Sequence, residues 1–182
     1  MSRAFTSSAV IDAKRGYRPS QIHDASTEPK FDYFKRHLDV QMQAATAWIA
    51  YREGRNDEAV DLLRQAGNAE DILGKHPVSP GPLIPVREQL GRLLLELNRP
   101  QEAQKEFEAV LKIYPGRFQA LSGAAQAAER TREKKTATHY YAKLVEQTAK
   151  ADGPRSEVVR ARAYVSAKDS GANSDKTAND GN

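Results

Sequence analysis

The sequence predicts an all-α fold built from antiparallel helix hairpins and closed by a C-terminal capping helix. Three observations support this prediction. Apolar residues recur at spacings of three and four through most of the chain between residues 29 and 167, which is the period of one helix face. Short turns rich in Gly, Asn and Pro separate the helical segments. No stretch of useful length alternates apolar and polar residues as a half-buried strand does.

The first helix is predicted from Lys30 to about Arg52. Residues 1–28 before it contain scattered Ser, Thr, Arg and Pro with no sustained period, so we expect them to be disordered. Pro29 falls in the first turn of the helix, where proline is tolerated, and Gly54 ends it. The apolar face predicted for this helix consists of Phe31, Phe34, Leu38, Met42, Ala45 and Ile49.

The next two helices are predicted at 57–73 and 85–97, on either side of a proline-rich stretch. That stretch, His76 to Gly91, carries four of the nine prolines of the chain. Gly74 ends the helix before it, and Pro85 lies near the first turn of the helix after it. The apolar positions predicted for these two helices are Ala59, Leu62, Leu63, Ala66 and Ile72, then Leu90, Leu93, Leu94 and Leu97.

Four further helices are predicted at 101–113, 118–130, 136–149 and 155–167. Pro and Gly residues separate the first from the second and the third from the fourth, and residues 131–135 separate the second from the third. Residues 168–182, which have no apolar side chain larger than Ala, are expected to be a disordered tail. The predicted apolar positions of these four helices are, in order, Ala103, Phe107, Val110 and Leu111; the alanines of 118–130; Ala137, Tyr140, Tyr141, Leu144 and Val145; and Val158, Val159, Ala163 and Val165.

The segment Ile84–Arg117, "IPVREQLGRLLLELNRPQEAQKEFEAVLKIYPGR", resembles a tetratricopeptide repeat. The residues that match are Leu90-Gly91, then Ala103 followed four residues later by Phe107, and Pro115 at the end. Arg87 stands where the family has Trp, Leu94 where it has Tyr, and Asn98 takes a turn position usually given to Gly. The resemblance implies a right-handed solenoid of stacked hairpins.

The same pattern occurs twice more. Thirty-four residues later, Ala125, Ala137 and Tyr141 take the places of Gly91, Ala103 and Phe107, and in an earlier unit Ala47, Ala59 and Leu63 take them. Small residues at the first two positions let two helices approach closely, and the third residue fills the gap between hairpins. We therefore predict repeats at about 30–74, 84–117 and 118–151 with a cap at 155–167, which together make one repeat domain at 29–167.

The proline-rich stretch accounts for the longer spacing of the earlier unit. It contains two P-x-x-P spacings, a weak signal for a polyproline ligand, and we interpret it as a stiff spacer between two repeats. The run from about Phe34 to Val165 also resembles the C-terminal part of larger bacterial tetratricopeptide proteins of unassigned activity, which carry a similar "KHPV-x-PGPL-x-P" connector. Whether the spacer itself touches a partner stays open.

Composition limits the classes of function. The chain has no Cys, which excludes disulfides and thiol catalysis. The sequence contains no apolar run long enough for a membrane span. We expect a cytoplasmic protein, with export as the alternative if an upstream signal is missing. Neither a phosphate-binding loop nor a nucleophile turn is present, and no histidine pair has metal-site spacing. We therefore expect no enzyme activity, cofactor or bound metal.

The resemblance implies that the first helices of successive hairpins line a concave groove that binds a protein or peptide segment. The candidate groove residues are Trp48, Tyr51, Arg52, Glu88, Arg92, Gln126, Glu129 and Arg130, with Gln41, Gln119 and Ser122 beside them. Trp48, Tyr51 and Arg52 form a typical interface anchor cluster; the alternative is that Trp48 packs under the N-terminal segment.

Some members of the family clamp a chaperone's C-terminal carboxylate with Lys, Asn and Arg side chains. That set is not reproduced here, because Ala44, Trp48, Glu88 and Ser122 stand near the places where it is needed. We therefore do not expect chaperone-tail binding.

A second hypothesis is a nucleic-acid or membrane-surface accessory role. The net charge is +4, and local basic patches lie at 131–136 and in the last helix at Arg155, Arg160 and Arg162. Nucleic acid is not the expected partner, because the aromatic side chains that would stack on bases are not interleaved with these basic residues. The sequence does not determine the oligomeric state.

Overall fold

Seven α-helices and no strand are found within the residues that the structure, a computed structural model, describes. These residues are 29–74, 82–151, 153 and 155–179, with side chains described from Asp32 to Ala167. The predicted disordered segment 1–28, residues 75–81 at the beginning of the connection after α2, and residues 180–182 of the tail lie outside them. The helices are α1 (Pro29–Arg52), α2 (Asn56–Leu73), α3 (Val86–Glu96), α4 (Pro100–Ile113), α5 (Phe118–Arg130), α6 (Lys134–Gln147) and α7 (Ser156–Asn179).

The all-α prediction is confirmed, and each predicted helix is found at its expected place. The largest difference is the end of the last helix. The prediction ends it at residue 167 and expects a disordered tail, whereas the backbone of α7 remains helical to Asn179. The prediction stopped where the apolar face stops, but residues 168–179 contain no Pro that would break the backbone.

Contacts divide the chain into two compact units, residues 1–38 and residues 39–182. The described part of the first unit is the beginning of α1. There Arg36 pairs with Asp32 at 2.8 Å, one turn earlier on the helix, and the Tyr33 and His37 rings meet edge to face with centroids 4.4 Å apart. All of the candidate site lies in the second unit.

Close packing of small residues builds the second unit. The small positions predicted from the repeat, Ala47, Ala59, Ala103, Ala125 and Ala137, are all fully buried. Each helix from α2 to α7 packs against the next, and α3 also contacts α5. Helices that meet through Ala and Gly can approach more closely than helices that meet through large side chains, which produces the stacked hairpins.

Phe107 fills the gap between two hairpins, as the repeat pattern predicts. Its ring is fully buried. A methyl group placed on Gly91 would come within 2.8 Å of the ring, and one on Gly123 would overlap it. The Phe107 ring of α4 therefore lies between a glycine of α3 and a glycine of α5, and neither glycine position has room for a side chain. Leu63 and Tyr141, the equivalent residues of the other hairpins, are also fully buried.

The three turns inside the hairpins share one backbone conformation. Gly54, Asn98 and Arg132 all have positive φ, of 82°, 56° and 64°. In each case the next residue donates its N–H to a carbonyl five residues back, over 2.9 Å from Arg55 and 2.8 Å from Arg99 and Glu133. This is the hydrogen bond that closes a helix through a left-handed residue, and it turns the chain into the next helix without a loop.

The buried face of α1 is not the predicted one. Phe34, Leu38 and Met42 are 57%, 43% and 42% exposed, and Ala45 is exposed as well. The helix buries its smaller residues instead: Val40, Ala44, Ala47 and Ala50. Periodicity favoured the large apolar side chains, but close approach of the helices selects the face with the small ones.

Three more apolar positions were predicted on the wrong side of their helices. Ile72 near the end of α2 is 84% exposed, Val159 on α7 is 55% exposed, and Ala163 is also exposed. On α7 the core takes Val158 and Ala161 instead. All three errors arise near a helix end or at the end of the array, where a neighbour covers only part of the helix circumference.

A buried carboxylate of α2 caps the N-terminus of α3. Glu70 of α2 is 9% exposed, and its carboxylate accepts the backbone N–H of Val86 over 2.8 Å and the side chain of Gln41 over 3.4 Å. An anion is favourable at a helix N-terminus, where free N–H groups point outward. Burial raises the pKa of Glu70, and the Val86 hydrogen bond opposes that rise.

Candidate functional site

A cavity of about 220 Å³ opens between α3 and α5, the first helices of two successive hairpins. Its residues come from both helices, from α4 beneath them and from the beginning of α7. They are Arg92, Leu95, Glu96, Phe107, Gln119, Gly123, Gln126, Arg130 and Glu157. The cavity brings together the predicted residues Arg92, Gln126 and Arg130 with the neighbouring Gln119.

The cavity is lined by charged and by apolar residues. The charged residues Arg92, Glu96, Arg130 and Glu157, which are exposed or half-buried, form its rim, and the buried Phe107, Leu95 and Gly123 complete the lining. Such a mixture of apolar and polar lining is typical of a binding site.

The two rim arginines differ in how many of their N–H donors already make a hydrogen bond within the protein. Arg130 donates from Nη1 to the Leu95 carbonyl over 2.5 Å, across the cavity. Arg92 is exposed and makes no hydrogen bond or ion pair within the described part of the chain. Since a guanidinium has five N–H donors, both arginines retain donors for a ligand.

The two rim carboxylates already have donors. Glu96 accepts a hydrogen bond from the Tyr51 hydroxyl, which raises the pKa of Tyr51. Glu157 accepts from Gln119 over 3.5 Å and from Ser156 over 3.2 Å. A backbone hydrogen bond at Glu157 itself lowers the pKa of this carboxyl, with the side-chain donors adding to the effect. Neither carboxylate has an ion pair within the described residues, so the rim presents two positive and two negative side chains, each with hydrogen-bonding capacity left.

An aromatic cluster on α1 continues the surface from the cavity. The Trp48 and Tyr51 rings meet edge to face with centroids 5.9 Å apart. Trp48 donates from Nε1 to the Gln89 side chain over 2.8 Å, and Tyr51 reaches Glu96, so both aromatics bridge α1 to α3. Both are half-buried. Their bonds to α3 give Trp48 a structural role as well, and the alternative of packing under residues 1–28 lies outside the described residues.

Glu88 is not a groove residue, contrary to the sequence prediction. Its side chain is 2% exposed and forms an ion pair with Arg117. Arg117 also donates to the Leu83 carbonyl over 2.7 Å, and so holds the end of the proline-rich stretch. The buried anion therefore needs the arginine as its counter-charge and is not available to a partner.

Two other predicted groove residues are also engaged inside the protein. Ser122 is buried and accepts a hydrogen bond from Gln126 over 3.1 Å. Glu129 accepts from the Tyr141 hydroxyl over 2.7 Å and from Arg160 over 2.9 Å. Glu129 thereby links α5 and α6 to α7. Burial raises the pKa of Tyr141, and the Glu129 bond raises it further.

The remaining predicted residues divide between surface and interior contacts. Arg52 is exposed at the end of α1 and makes no hydrogen bond or ion pair among the described residues, whereas Gln41 donates to Glu70. Sequence reasoning missed Leu95, Glu96, Phe107, Gly123 and Glu157 as cavity residues. Gly123 alone had a recognisable signal, since a glycine inside an alanine-rich helix usually marks a close approach.

Two of the basic residues that suggested a nucleic-acid or membrane-surface role make contacts within the fold. The Arg155 guanidinium lies 4.7 Å from the centre of the Phe118 ring, and Arg160 pairs with Glu129 over 2.9 Å. Both hold α7 against α5 and leave fewer free cations on that face.

No cluster of three metal-binding side chains occurs within the described ranges. His139 is exposed beside Tyr140, with ring centroids 5.3 Å apart, whereas His23 and His76 lie outside those ranges. No helix in the described residues is both long enough and apolar enough to cross a membrane.

Residues 88–154 match the model of the tetratricopeptide repeat family. This part of the chain is similar to that family. Two solved structures share the fold: the Sgt2 TPR domain from Aspergillus fumigatus, with 18% identity, a TM-score of 0.55 and coverage of 74% of this chain and 82% of that one; and PcrH from Pseudomonas aeruginosa, with 13% identity, a TM-score of 0.55 and coverage of 71% and 90%. A comparison with curated proteins gave no match.

The hairpins of α1 to α6 and the helix that follows them are thus those of a tetratricopeptide repeat solenoid. At these identities the two structures establish the fold and nothing about the ligand. The tetratricopeptide repeat is generally a protein–protein interaction module, and scaffold proteins of this family are generally not enzymes.

Proposed function

We propose that this protein is an interaction scaffold that binds a peptide or protein segment of a partner along the first helices of its hairpins, without catalysis. The observation that carries the proposal is the cavity between α3 and α5, with Arg92 at its rim making no hydrogen bond or ion pair within the described residues. Trp48 and Tyr51 extend this surface onto α1 through their bonds to Gln89 and Glu96. Aromatic and Arg side chains are the residues that most often dominate binding energy at interfaces.

A partner segment lying across α1, α3 and α5 would contact Trp48 and Tyr51 on α1 and the cavity between α3 and α5. The described surface offers donors from Arg52, Arg92 and Gln126 and apolar contact from the half-buried Trp48 and Tyr51. Such a mixture of apolar anchors and polar rim groups is typical of a protein interface.

The proposal is tested by peptide display selection on the intact chain, followed by photo-crosslinking. A benzophenone amino acid placed at Gln126, in the cavity, should crosslink to the selected peptides. The same amino acid at Lys112, an exposed residue of α4, is the matched control and should not. Far-UV circular dichroism checks that both variants remain helical.

A selection that returns no binding peptide argues against the proposed function. Peptides that crosslink from residue 112 and not from residue 126 would instead show that binding occurs on another surface.

A further inference from the structure

The connection between α2 and α3 ends with two large apolar side chains that face water. Leu83 is 90% exposed and Ile84 is 39% exposed, and Pro85, the N-cap residue of α3, follows them. A single exposed apolar side chain is common on protein surfaces. Here, however, side chains of neighbouring elements hold the backbone of both residues.

Two side chains fix the carbonyl groups of Leu83 and Ile84. Arg117, just before α5, donates from Nη2 to the Leu83 carbonyl over 2.7 Å and is itself paired with the buried Glu88. Gln89 of α3 donates from Nε2 to the Ile84 carbonyl over 3.3 Å. The two apolar side chains therefore extend from a backbone that is already ordered, which reduces the entropy lost when a partner binds there.

The side chain of Gln89 also joins this backbone to the aromatic pair of α1. Trp48 donates from Nε1 to the Gln89 side-chain oxygen over 2.8 Å, while the nitrogen of the same amide bonds Ile84. One amide group thus lies between the Trp48 indole and the Ile84 carbonyl. Since Trp48 and Tyr51 are half-buried, the exposed Leu83 and Ile84 continue the apolar surface that this pair begins.

The second anchor of the connection leads towards the cavity. Arg117, which holds the Leu83 carbonyl, is two residues from Gln119, and Gln119 lines the cavity between α3 and α5. The end of the connection is therefore bonded on one side to the residue that holds Trp48 and on the other side to a residue close to the cavity. Both parts of the proposed binding surface adjoin it.

We propose that the end of the α2–α3 connection belongs to the partner-binding surface, where Leu83 and Ile84 contact an apolar side chain of the partner segment next to the one that packs on Trp48. Gln89 is the positioning residue that holds the two apolar contacts side by side. This inference rests on the proposed function, because it names the chemistry of the bound segment, which is a pair of neighbouring apolar residues. It also gives the proline-rich spacer a contact with the partner.

The first test measures the affinity of labelled peptides, selected on the wild-type chain, by fluorescence anisotropy. Leu83→Ser should weaken their binding about tenfold, as truncation of an apolar interface anchor does. Val159→Ser is the matched control, because Val159 is also apolar and 55% exposed. It lies two residues from the cavity residue Glu157, about 200° around the helix, and so faces away from the cavity. This variant should bind as the wild type does.

A double-mutant cycle identifies the apolar side chain of the peptide that contacts Leu83. Each apolar residue of the peptide is changed in turn to alanine, and each peptide is measured on the wild type and on Leu83→Ser. One alanine change should weaken binding much less on the variant than on the wild type, since residues in contact are not additive. The other changes should have the same effect on both proteins.

The positioning role of Gln89 is read from Trp48, the only Trp of the chain. Gln89→Met removes both hydrogen bonds, so it should increase the mobility of Trp48 in time-resolved fluorescence anisotropy and weaken peptide binding. Gln89→Glu keeps an acceptor for Trp48 but has no donor for the Ile84 carbonyl. It should restore the restricted Trp48 while binding stays about three- to tenfold weaker, the equivalent of one lost hydrogen bond. Far-UV circular dichroism checks that both variants are folded, and wild-type affinity in Gln89→Glu would overturn the positioning role.

The outcomes separate this inference from the proposed function. Selected peptides that crosslink from residue 126 but bind Leu83→Ser as tightly as the wild type would overturn this inference and leave peptide binding intact. A wild-type chain that dimerises in sedimentation velocity, with Leu83→Ser monomeric, would assign the exposed residues to a second copy and overturn the partner contact. A selection without any binders would overturn the proposed function and this inference with it.

Discussion

The α2–α3 junction and the α4–α5 junction hold successive hairpins together by opposite means. At the α4–α5 junction the centre is apolar, with the Phe107 ring buried between Gly91 and Gly123, and the polar contacts, such as Arg130 to the Leu95 carbonyl, lie around this ring. At the α2–α3 junction Arg87 binds Asp71 over 2.7 Å, Glu106 over 2.7 Å and Asn68 over 2.9 Å. The same repeat architecture can therefore be stabilised by an aromatic ring or by a hydrogen-bonded guanidinium.

The difference follows from the residue that each junction must accommodate. Arg87 stands where the family usually has Trp, and its side chain is 20% exposed, so its charge keeps partial contact with water while it joins α3 to α2 and α4. Glu70 adds a second polar contact at this junction by capping α3. A polar junction of this kind suits the longer connection after α2, because directional bonds fix the approach of α3 where packing is reduced.

The largest expected effect comes from removing the aromatic ring. Phe107→Ala should lower the free energy of unfolding by about 3–5 kcal/mol, through lost burial and the cavity left behind. Arg87→Ala, the corresponding change at the polar junction, should cost about 1–2 kcal/mol, because its partners Asp71 and Glu106 are partly solvated and exposed ion pairs contribute little.

Urea denaturation of both variants gives the comparison. Equal losses of unfolding free energy in the two variants would contradict the predicted difference between the junctions.

A smaller but sharper difference is expected between two glycines. Gly123→Ala puts a methyl group into the Phe107 ring and should destabilise the fold by about 1–3 kcal/mol, the usual cost of overpacking. At Gly67, the matched position, an added methyl lies 3.3 Å from Cγ of Arg87, a flexible chain that can move. Gly67→Ala should therefore change stability by less than about 1 kcal/mol, with improved helix propensity offsetting the contact.

Thermal melts of the two alanine variants measure this difference. The double variant Gly123→Ala with Phe107→Leu should recover part of the loss if overlap with the ring is the cause. A loss at Gly67 as large as that at Gly123 would show that both junctions are equally tight.

The smallest effect concerns the pH dependence of the polar junction. Burial raises the pKa of Glu70 in the folded state, so the native state binds this proton more tightly than the unfolded state. The resulting stabilisation is complete below the unfolded pKa, about 4.3 for glutamate, and is lost as the pH rises through the folded value. Glu70→Gln removes this dependence.

Urea melts of wild type and Glu70→Gln from neutral to mildly acidic pH test the sign. The stability of the wild type relative to the variant should increase as the pH falls. The comparison with the variant is needed because Glu102, whose pKa is lowered by Arg99, gives the opposite slope in both proteins. A difference that is constant with pH would contradict the prediction.

Helix positions were predictable because they depend on local chemistry. Gly54, Asn98 and the prolines mark where a helix cannot continue, and the repeat of Ala103 and Phe107 at a fixed offset in Ala137 and Tyr141 marks the packing positions. The candidate site was predicted only in part. Arg92, Gln126 and Arg130 do meet at one cavity, but Glu88 proved to be the buried partner of Arg117, a contact between residues far apart in the sequence.

The sequence by itself determined the all-α class, the hairpin turns and the close-packed Ala, Gly and aromatic positions, because each depends on a residue's own conformational limits or on a short repeated spacing. Only the tertiary structure decided which face of α1 is buried, that Glu70 caps α3, and which charged residues remain free for a partner. Those outcomes depend on which side chains meet across hairpins, and the distances across hairpins have no fixed spacing in the chain.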